Sequence, residues 1–237
     1  MKVVILAAGK GVRMLPLTEH VPKVLVEVNG KPFLSYVLHN LELAGFNEFI
    51  IIGGYKIDAL RQFVINNGIN AIVVEQKEQK GTAHALMQVK KFCGNEQFVV
   101  VSGDNLLSPD DLRAMRKNDY FSYIMGKEVE DPRKYGVLVT RGEKLVKIVE
   151  KPQEFVGNLI NLGVYKFTPE IWATLDKIQV SVRGELELTD AVSMLAAHGN
   201  VTVLKLKGYW LDLGCLEDVA KVGSFLKGER DKGIDKI

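Results

Sequence analysis

Val3-Val4-Ile5-Leu6-Ala7-Ala8-Gly9-Lys10-Gly11-Val12-Arg13-Met14-Leu15-Pro16-Leu17-Thr18, with Pro22-Lys23 close behind, is the stretch on which the reading of the fold turns. It opens as an unbroken apolar run, the pattern of a strand covered on both faces. The run is too short for a secretory signal, and Lys10 and Arg13 stand where a small-residue cleavage site would be needed. Glycines at 9 and 11 let backbone N–H groups turn inward and approach an anion. Lys10, Arg13 and Lys23 would neutralise phosphate charge, Arg13 with a forked contact. Two common phosphate loops are excluded by residue. A dinucleotide fingerprint needs a third glycine where Met14 stands, with Pro16 soon after; a P-loop needs Ser or Thr after its lysine, where Gly11 follows Lys10.

Downstream the chain alternates. A helix is predicted over Phe33–Ala44, ended by Gly45, and a strand over Phe49–Ile52, closed by Gly53-Gly54. Helix Ile57–Ile65, strand Ala71–Val74, helix Thr82–Phe92 and strand Phe98–Val101 follow. Ser108-Pro109-Asp110-Asp111 then reads as an N-cap with proline in the first turn of a further helix. Such alternation predicts an α/β fold, a Rossmann-like three-layer sandwich with a mainly parallel sheet. Sheets of this kind bind ligands beyond the carboxyl ends of their strands, so the segments after Ala8, Val74 and Val101 are expected to meet on one edge. Beyond about Tyr120 the texture changes. Tyr135–Val139 and Leu145–Val149 flank Arg141-Gly142-Glu143 as a hairpin; Leu162–Phe167 and Val201–Leu206 read as strands, Glu187–His198 and Leu216–Leu226 as helices, and Lys227–Ile237 as a frayed tail.

Composition narrows the class. The chain has 237 residues, with 31 Lys and Arg against 29 Asp and Glu, hence a net charge of +2; it is 47 % hydrophobic and 25 % charged. These values suit a globular chain and argue against long disorder or a nucleic-acid-coating protein, so no nucleic acid is expected as partner. No run of about 18 apolar residues occurs, so no membrane span is expected. Two cysteines, Cys93 and Cys215, make no disulfide framework, and a cytoplasmic location is the expectation. No Pro/Ser-rich linker or internal repeat interrupts the chain; one domain over residues 1–237 is the simplest organisation.

Two aspartates carry a metal argument. Asp104 ends a hydrophobic strand on the ligand edge, where a carboxylate is costly unless it binds a cation or accepts hydrogen bonds. Asp212 sits likewise after Val201–Leu206 and Trp210, just before a glycine. Mg²⁺ prefers one or two carboxylates completed by phosphate oxygens and water. Gln76 offers an amide donor and acceptor matching the imide edge of a base, and Gly81 would let a ring lie close to backbone. His84 reads as a packed helix histidine without a role, and Trp210 as either a stacking or a packing residue.

The opening loop resembles the signature of the sugar-1-phosphate nucleotidylyltransferases, and further pieces of that family's pattern occur in order along nearly the whole chain. They are Gln76 with Lys80-Gly81-Thr82-Ala83-His84-Ala85-Leu86, Ser102-Gly103-Asp104-Asn105, Tyr135-Gly136-Val137, Glu150-Lys151-Pro152, Asn161-Leu162-Gly163, Gly184-Glu185-Leu186-Glu187-Leu188-Thr189-Asp190 and Trp210-Leu211-Asp212-Leu213-Gly214. The resemblance implies Arg13, Lys23 and Lys151 as catalytic cations, and a nucleotide held by Leu6, Ala8, Gly9, Gly11, Gln76, Gly81 and Thr82. It implies a sugar held by Gly136, Glu150, Asn161 and Tyr165, with Mg²⁺ on Asp104 and Asp212. The halves would then be nucleotide-binding over 1–120 and sugar-binding over 121–215, with a helix and tail over 216–237. The partners implied are a nucleoside triphosphate and a sugar 1-phosphate, dTTP or UTP with glucose 1-phosphate being favoured, and a homo-oligomer is possible at family level. Two positions depart from the pattern: Val12 lacks a hydroxyl common there, and Cys215 replaces a Thr or Ser, which puts support of Asp212 in doubt. No acetyltransferase extension is recognised, so the bifunctional activity of some relatives is not expected. Two alternatives remain beside the enzyme: a silent regulatory subunit that binds sugar nucleotides, and a transferase that uses a polyol phosphate with CTP, in which Gln76 would read cytosine.

Overall fold

Val3, Ile5 and Ala7 pack into one hydrophobic core and Val4 into another, so the opening run is a strand buried on both faces. The computed structural model describes residues 1–231. In chain order the elements are β1 (Lys2–Ala7), β2 (Glu27–Val28), β3 (Lys31–Pro32), α1 (Phe33–Leu43), β4 (Phe49–Gly53), α2 (Ile57–Asn66), β5 (Ala71–Glu75), α3 (Thr82–Met87), α4 (Lys90–Cys93), β6 (Phe98–Ser102) and β7 (Asn105–Leu107). They continue as α5 (Pro109–Ala114), β8 (Ser122–Glu128), β9 (Gly136–Arg141), β10 (Lys144–Glu150), β11 (Leu159–Phe167), α6 (Ile171–Leu175), α7 (Leu188–Ala196), β12 (Val201–Lys205), β13 (Trp210–Asp212) and α8 (Leu216–Asp231). Short 3₁₀ turns at Val12–Met14 and Lys23–Leu25 shape the opening loop.

Nine strands form one sheet in the order β5-β4-β1-β6-β11-β8-β12-β10-β9. Helices α1, α2, α5 and α8 cover one face and α3, α4, α6 and α7 the other, giving three layers. The parallel pairing expected from the alternation holds through β5, β4, β1 and β6, as the αβ crossovers require. Across the second half only β8 and β12 are parallel; β6–β11, β11–β8, β12–β10 and β10–β9 are antiparallel. The reason lies in the connections, since β9 and β10 are joined by a tight turn that only antiparallel strands can use. Two further strands, β7 and β13, pair apart from the main sheet.

Several expectations need correction. The helix predicted over Thr82–Phe92 is two helices, because the fully buried, β-branched Val89 leaves helical dihedrals at φ −107° and ψ 3°. β8 was not read from the sequence: Ser, Gly and Lys blur its pattern, although five of its residues from Ser122 to Gly126 are buried between β11 and β12. β11 starts three residues earlier than predicted, at Leu159. The tail predicted as frayed from Lys227 is helical through Asp231, and residues 232–237 lie outside the described residues. The predicted N-cap is present: Ser108 Oγ accepts from the Asp111 N–H at 3.2 Å and donates to Asp111 Oδ2 at 2.6 Å. Among the described residues no helix is long and apolar enough to cross a membrane.

Candidate active site

The loops after β1, β5 and β6 leave the same edge of the sheet, because these strands are parallel. β11 runs the other way, so its residues Asn161–Gly163 arrive at that edge beside Ser102. Three adjoining cavities of about 220, 340 and 290 Å³ result, and Leu6 and Asp104 line all of them. Every site residue that the resemblance implies lines one or more of the three. Lys10, read as a further phosphate cation, is exposed and lines none. A larger groove of about 1210 Å³ lies elsewhere, between α5, the β9–β10 hairpin and β12, and contains none of the implied residues.

Gly9, Gly11, Arg13 and Lys23 line the first cavity. The Lys23 ammonium sits 2.6 Å from Asp104 Oδ2, so the cation predicted for phosphate also neutralises the first carboxylate. The second carboxylate is brought there by the β7–β13 pair, which sets Asp212 opposite Asn105, while the Leu213 N–H donates to the Asp104 carbonyl at 2.8 Å. Burial, followed by the negative charge of Asp104, pushes the Asp212 carboxyl up to about 6. Two carboxylates that repel each other at a phosphate-sized cavity fit a divalent cation. Among the described residues no third His, Cys, Asp or Glu joins them, which leaves the remaining coordination to phosphate and water oxygens. Cys215 gives its N–H and thiol to Asp218 Oδ2, at 2.9 and 3.1 Å, and so reaches Asp212 only through Asp218, whose charge helps push the Asp212 carboxyl up.

The second cavity holds the predicted sugar residues. Gly136 lies against Glu150: a Cβ there would stand 2.7 Å from Glu150 Oε1, so a larger residue would displace that carboxylate. Glu150 pairs with Arg183 at 3.6 Å rather than with its neighbour Lys151, whose backbone is held left-handed at φ 43° with its N–H on the Tyr135 carbonyl. A left-handed lysine is strained backbone at a site. Asn161 donates to the Tyr165 hydroxyl at 2.6 Å and accepts from the Gly163 N–H at 2.9 Å. Tyr165 is buried, stacks on Phe167, and its phenol is pushed far above its ordinary range by burial, so it stays neutral and fixes Asn161. Trp210 lines the cavity, and its indole N–H donates to Asn105 Oδ1 at 3.0 Å.

The third cavity is the predicted base site. Gln76 is only 4 % exposed, and its Nε2 donates to the Gly81 carbonyl at 3.0 Å. Gly81 has φ +106°, and a Cβ would collide with the Leu186 carbonyl oxygen, so only glycine fits. That close approach is a seam: the Leu186 N–H donates to the Lys80 carbonyl, the Ala83 N–H to the Leu186 carbonyl, and the Leu188 N–H to Thr82 Oγ1 at 3.0 Å. Two residues in the clefts, and one behind them, make contacts that the sequence does not announce. Arg183 bridges Glu150 and Glu187, and the cation heading its glutamate-bearing segment was the available signal. Gln79 donates to the Ala8 carbonyl at 2.8 Å across the base cavity. His84, read as packing alone, places Nδ1 3.0 Å from Gln76 Nε2; nothing local in the sequence points to that.

This arrangement points to a class: a glycine- and cation-bearing loop, a pair of carboxylates and two flanking clefts on the edge of a three-layer sandwich are the parts that nucleotidyl transfer requires. The family model described as nucleotidyl transferase matches residues 2–229. The chain is 36 % identical over 238 residues to the bifunctional protein GlmU of Methanocaldococcus jannaschii, covering all of this chain and 55 % of that one. It is 36 % identical over 228 residues to the UTP–glucose-1-phosphate uridylyltransferase AglF of Haloferax volcanii, covering 92 % and 93 %. A UDP-glucose pyrophosphorylase solved with UDP-glucose superposes with a TM-score of 0.86 at 27 % identity, over 96 % of this chain and 98 % of that one. The chain spans about half the length of the first curated relatives it matches, at 51 and 55 %. It belongs to the nucleotidyl transferase family.

Proposed function

We propose that this chain transfers a nucleotidyl group from a nucleoside triphosphate, UTP or dTTP by preference, to a sugar 1-phosphate, glucose 1-phosphate by preference, with release of pyrophosphate. The observation that carries the reading is the meeting of Arg13, Lys23, Asp104 and Asp212 where the two clefts join. A phosphate oxygen of the sugar 1-phosphate attacks the α-phosphorus; the bond to the β-phosphate oxygen breaks, and pyrophosphate leaves with that electron pair. The attacking oxygen is already anionic, so no general base is needed, and catalysis is positioning plus charge stabilisation. Arg13 holds the β- and γ-phosphates and then the departing pyrophosphate. Lys23 and Lys151 offset the repulsion between the two phosphates, with Arg183 the further cation on the sugar side. Leu6, Ala8, Gly9, Gly11, Gln76, Gly81 and Thr82 form the nucleotide cleft; Gly136, Glu150 and Asn161 face the sugar, Asn161 held by Tyr165. Mg²⁺ on Asp104 and Asp212 would supply Lewis-acid polarisation of phosphate oxygens. Free thiols at Cys93 and Cys215 suit a cytoplasmic setting. The preference for UTP and glucose 1-phosphate rests on relatives named for those substrates.

The test is pyrophosphate release by the purified protein with Mg²⁺, crossing dTTP, UTP, CTP, GTP and ATP with glucose, N-acetylglucosamine, galactose and mannose 1-phosphates. Release that requires both substrates and is greatest with UTP or dTTP and glucose 1-phosphate is expected. Silence across the grid from folded protein overturns the assignment.

A further inference from the structure

The Gln76 amide nitrogen has two neighbours, and together they decide which way the amide faces. The Gly81 carbonyl oxygen, 3.0 Å away, can only accept, so the atom beside it is the nitrogen and not the oxygen. The second N–H of that nitrogen is aimed at His84 Nδ1, also at 3.0 Å. Nδ1 must therefore accept, which puts the ring proton of a neutral His84 on Nε2. Gln88, one turn along the chain, stands at the far side of the ring, 3.3 Å from Nε2. The Gln88 amide nitrogen also donates to the His84 carbonyl at 3.0 Å, so accepting from the Nε2–H means giving up that bond and turning; this half-buried amide has the room to do so, whereas Gln76, 4 % exposed, does not. With both hydrogens of the Gln76 nitrogen spent on protein, its oxygen Oε1 is left as a pure acceptor lining the base cavity.

We propose that His84 is a positioning residue for base selection: accepting at Nδ1, it locks the Gln76 amide so that only its oxygen reads the base, favouring uracil or thymine over cytosine. The inference rests on the nucleotide reading above and deepens it. Uracil and thymine carry a ring N3–H that donates to such an oxygen. The corresponding nitrogen of cytosine is itself an acceptor, and two acceptors face to face repel. Were the amide free to turn, as glutamine amides on a surface are, its nitrogen would serve cytosine as well and the preference would fade. Discrimination by a buried, oriented polar group exceeds what an apolar pocket achieves, because the wrong partner leaves that group unpaired.

The experiment is calorimetric binding of UTP, dTTP and CTP to the full chain and to three variants, H84L, H84Q and Q88L. Wild type is expected to bind UTP or dTTP more tightly than CTP. H84L, without an acceptor, should lose about tenfold of that ratio, the worth of one oriented hydrogen bond. H84Q, which can present an amide oxygen to Gln76, should keep most of the ratio; a purely packing role would not separate these two variants. Q88L should lose less than H84L. A ¹⁵N spectrum of the wild-type imidazole gives a readout that needs no variant: His84 should be neutral with the proton on Nε2. A wild-type preference for UTP that H84L retains, or a ring protonated on Nδ1, overturns this inference and leaves the nucleotide reading intact. Wild-type protein that binds none of the three nucleotides overturns both.

Discussion

At the scale of single residues the site is a balance of charges that do not all cancel within the protein. Lys23 answers Asp104 at 2.6 Å, while Asp212 is left half-buried beside a like charge and pushed up to about 6. A carboxyl raised above its ordinary range costs stability when ionised, and the cost grows as pH rises through the ordinary carboxylate range towards about 6. Asp212→Asn should therefore stabilise the metal-free protein at neutral pH by an amount on the order of 1–2 kcal/mol, seen as a higher melting temperature. That gain should shrink as pH falls towards the ordinary carboxylate range. Melting curves at several pH values check this, and a gain that is flat with pH contradicts burial and repulsion as its cause. Arg13 and Asp104 are instead the residues proposed to act on the reacting phosphates. Arg13→Ala or Asp104→Ala should lower kcat by about 10² or more, the usual result of losing a preorganised charge; near-normal turnover in either variant would defeat the roles assigned to them. Lys23 and Asp104 were legible as charges in the sequence. That they pair with each other was not, because 81 residues separate them and only the strand edge joins them.

At the scale of elements, short pieces govern the geometry of the clefts. The β7–β13 pair is only three residues a side, yet it sets Asp212 opposite Asn105. Neither strand shows in the sequence, for three residues carry no periodicity. The loop before α3 is pinned to the segment before α7 by bonds at Lys80, Thr82 and Ala83. Gly81→Ala drives a Cβ into the Leu186 carbonyl and should part that seam. We expect the nucleotide KM to rise at least tenfold with a smaller change in kcat, since the phosphate loop is untouched; steady-state kinetics with varied nucleotide decides, and an unchanged KM would mean that the seam does not shape the base cleft. The motif around Gly184–Asp190 was visible as a motif, but its work as the other side of that seam is a tertiary fact.

At the scale of the molecule, the sheet runs without a break from β5 to β9, through both halves of the chain. Each core mixes the halves as well: Val3 and Phe33 share one with Ile160 and Val164, and Val4 and Ile50 share the other with Tyr165 and Val201. Neither half could bury its face of the sheet alone. We therefore propose that the chain unfolds as one cooperative unit; calorimetry should show a single transition, displaced upward by nucleotide with Mg²⁺ through mass action. Two transitions that respond separately to ligand would argue for independent halves.

The sequence by itself determined the start of the parallel sheet, the glycine- and cation-bearing loop after it and most of the residues proposed for the clefts, because these depend on local pattern: a buried apolar run, glycine spacing and the residue types that chemistry demands. Only the tertiary structure decided the antiparallel second half, the carboxylate meeting at β7 and β13, the Arg183–Glu150 pair and the aim of the Gln76 amide. Those depend on which distant groups share a low-dielectric space, and pairing energies between residues far apart in the chain leave no periodic trace in it.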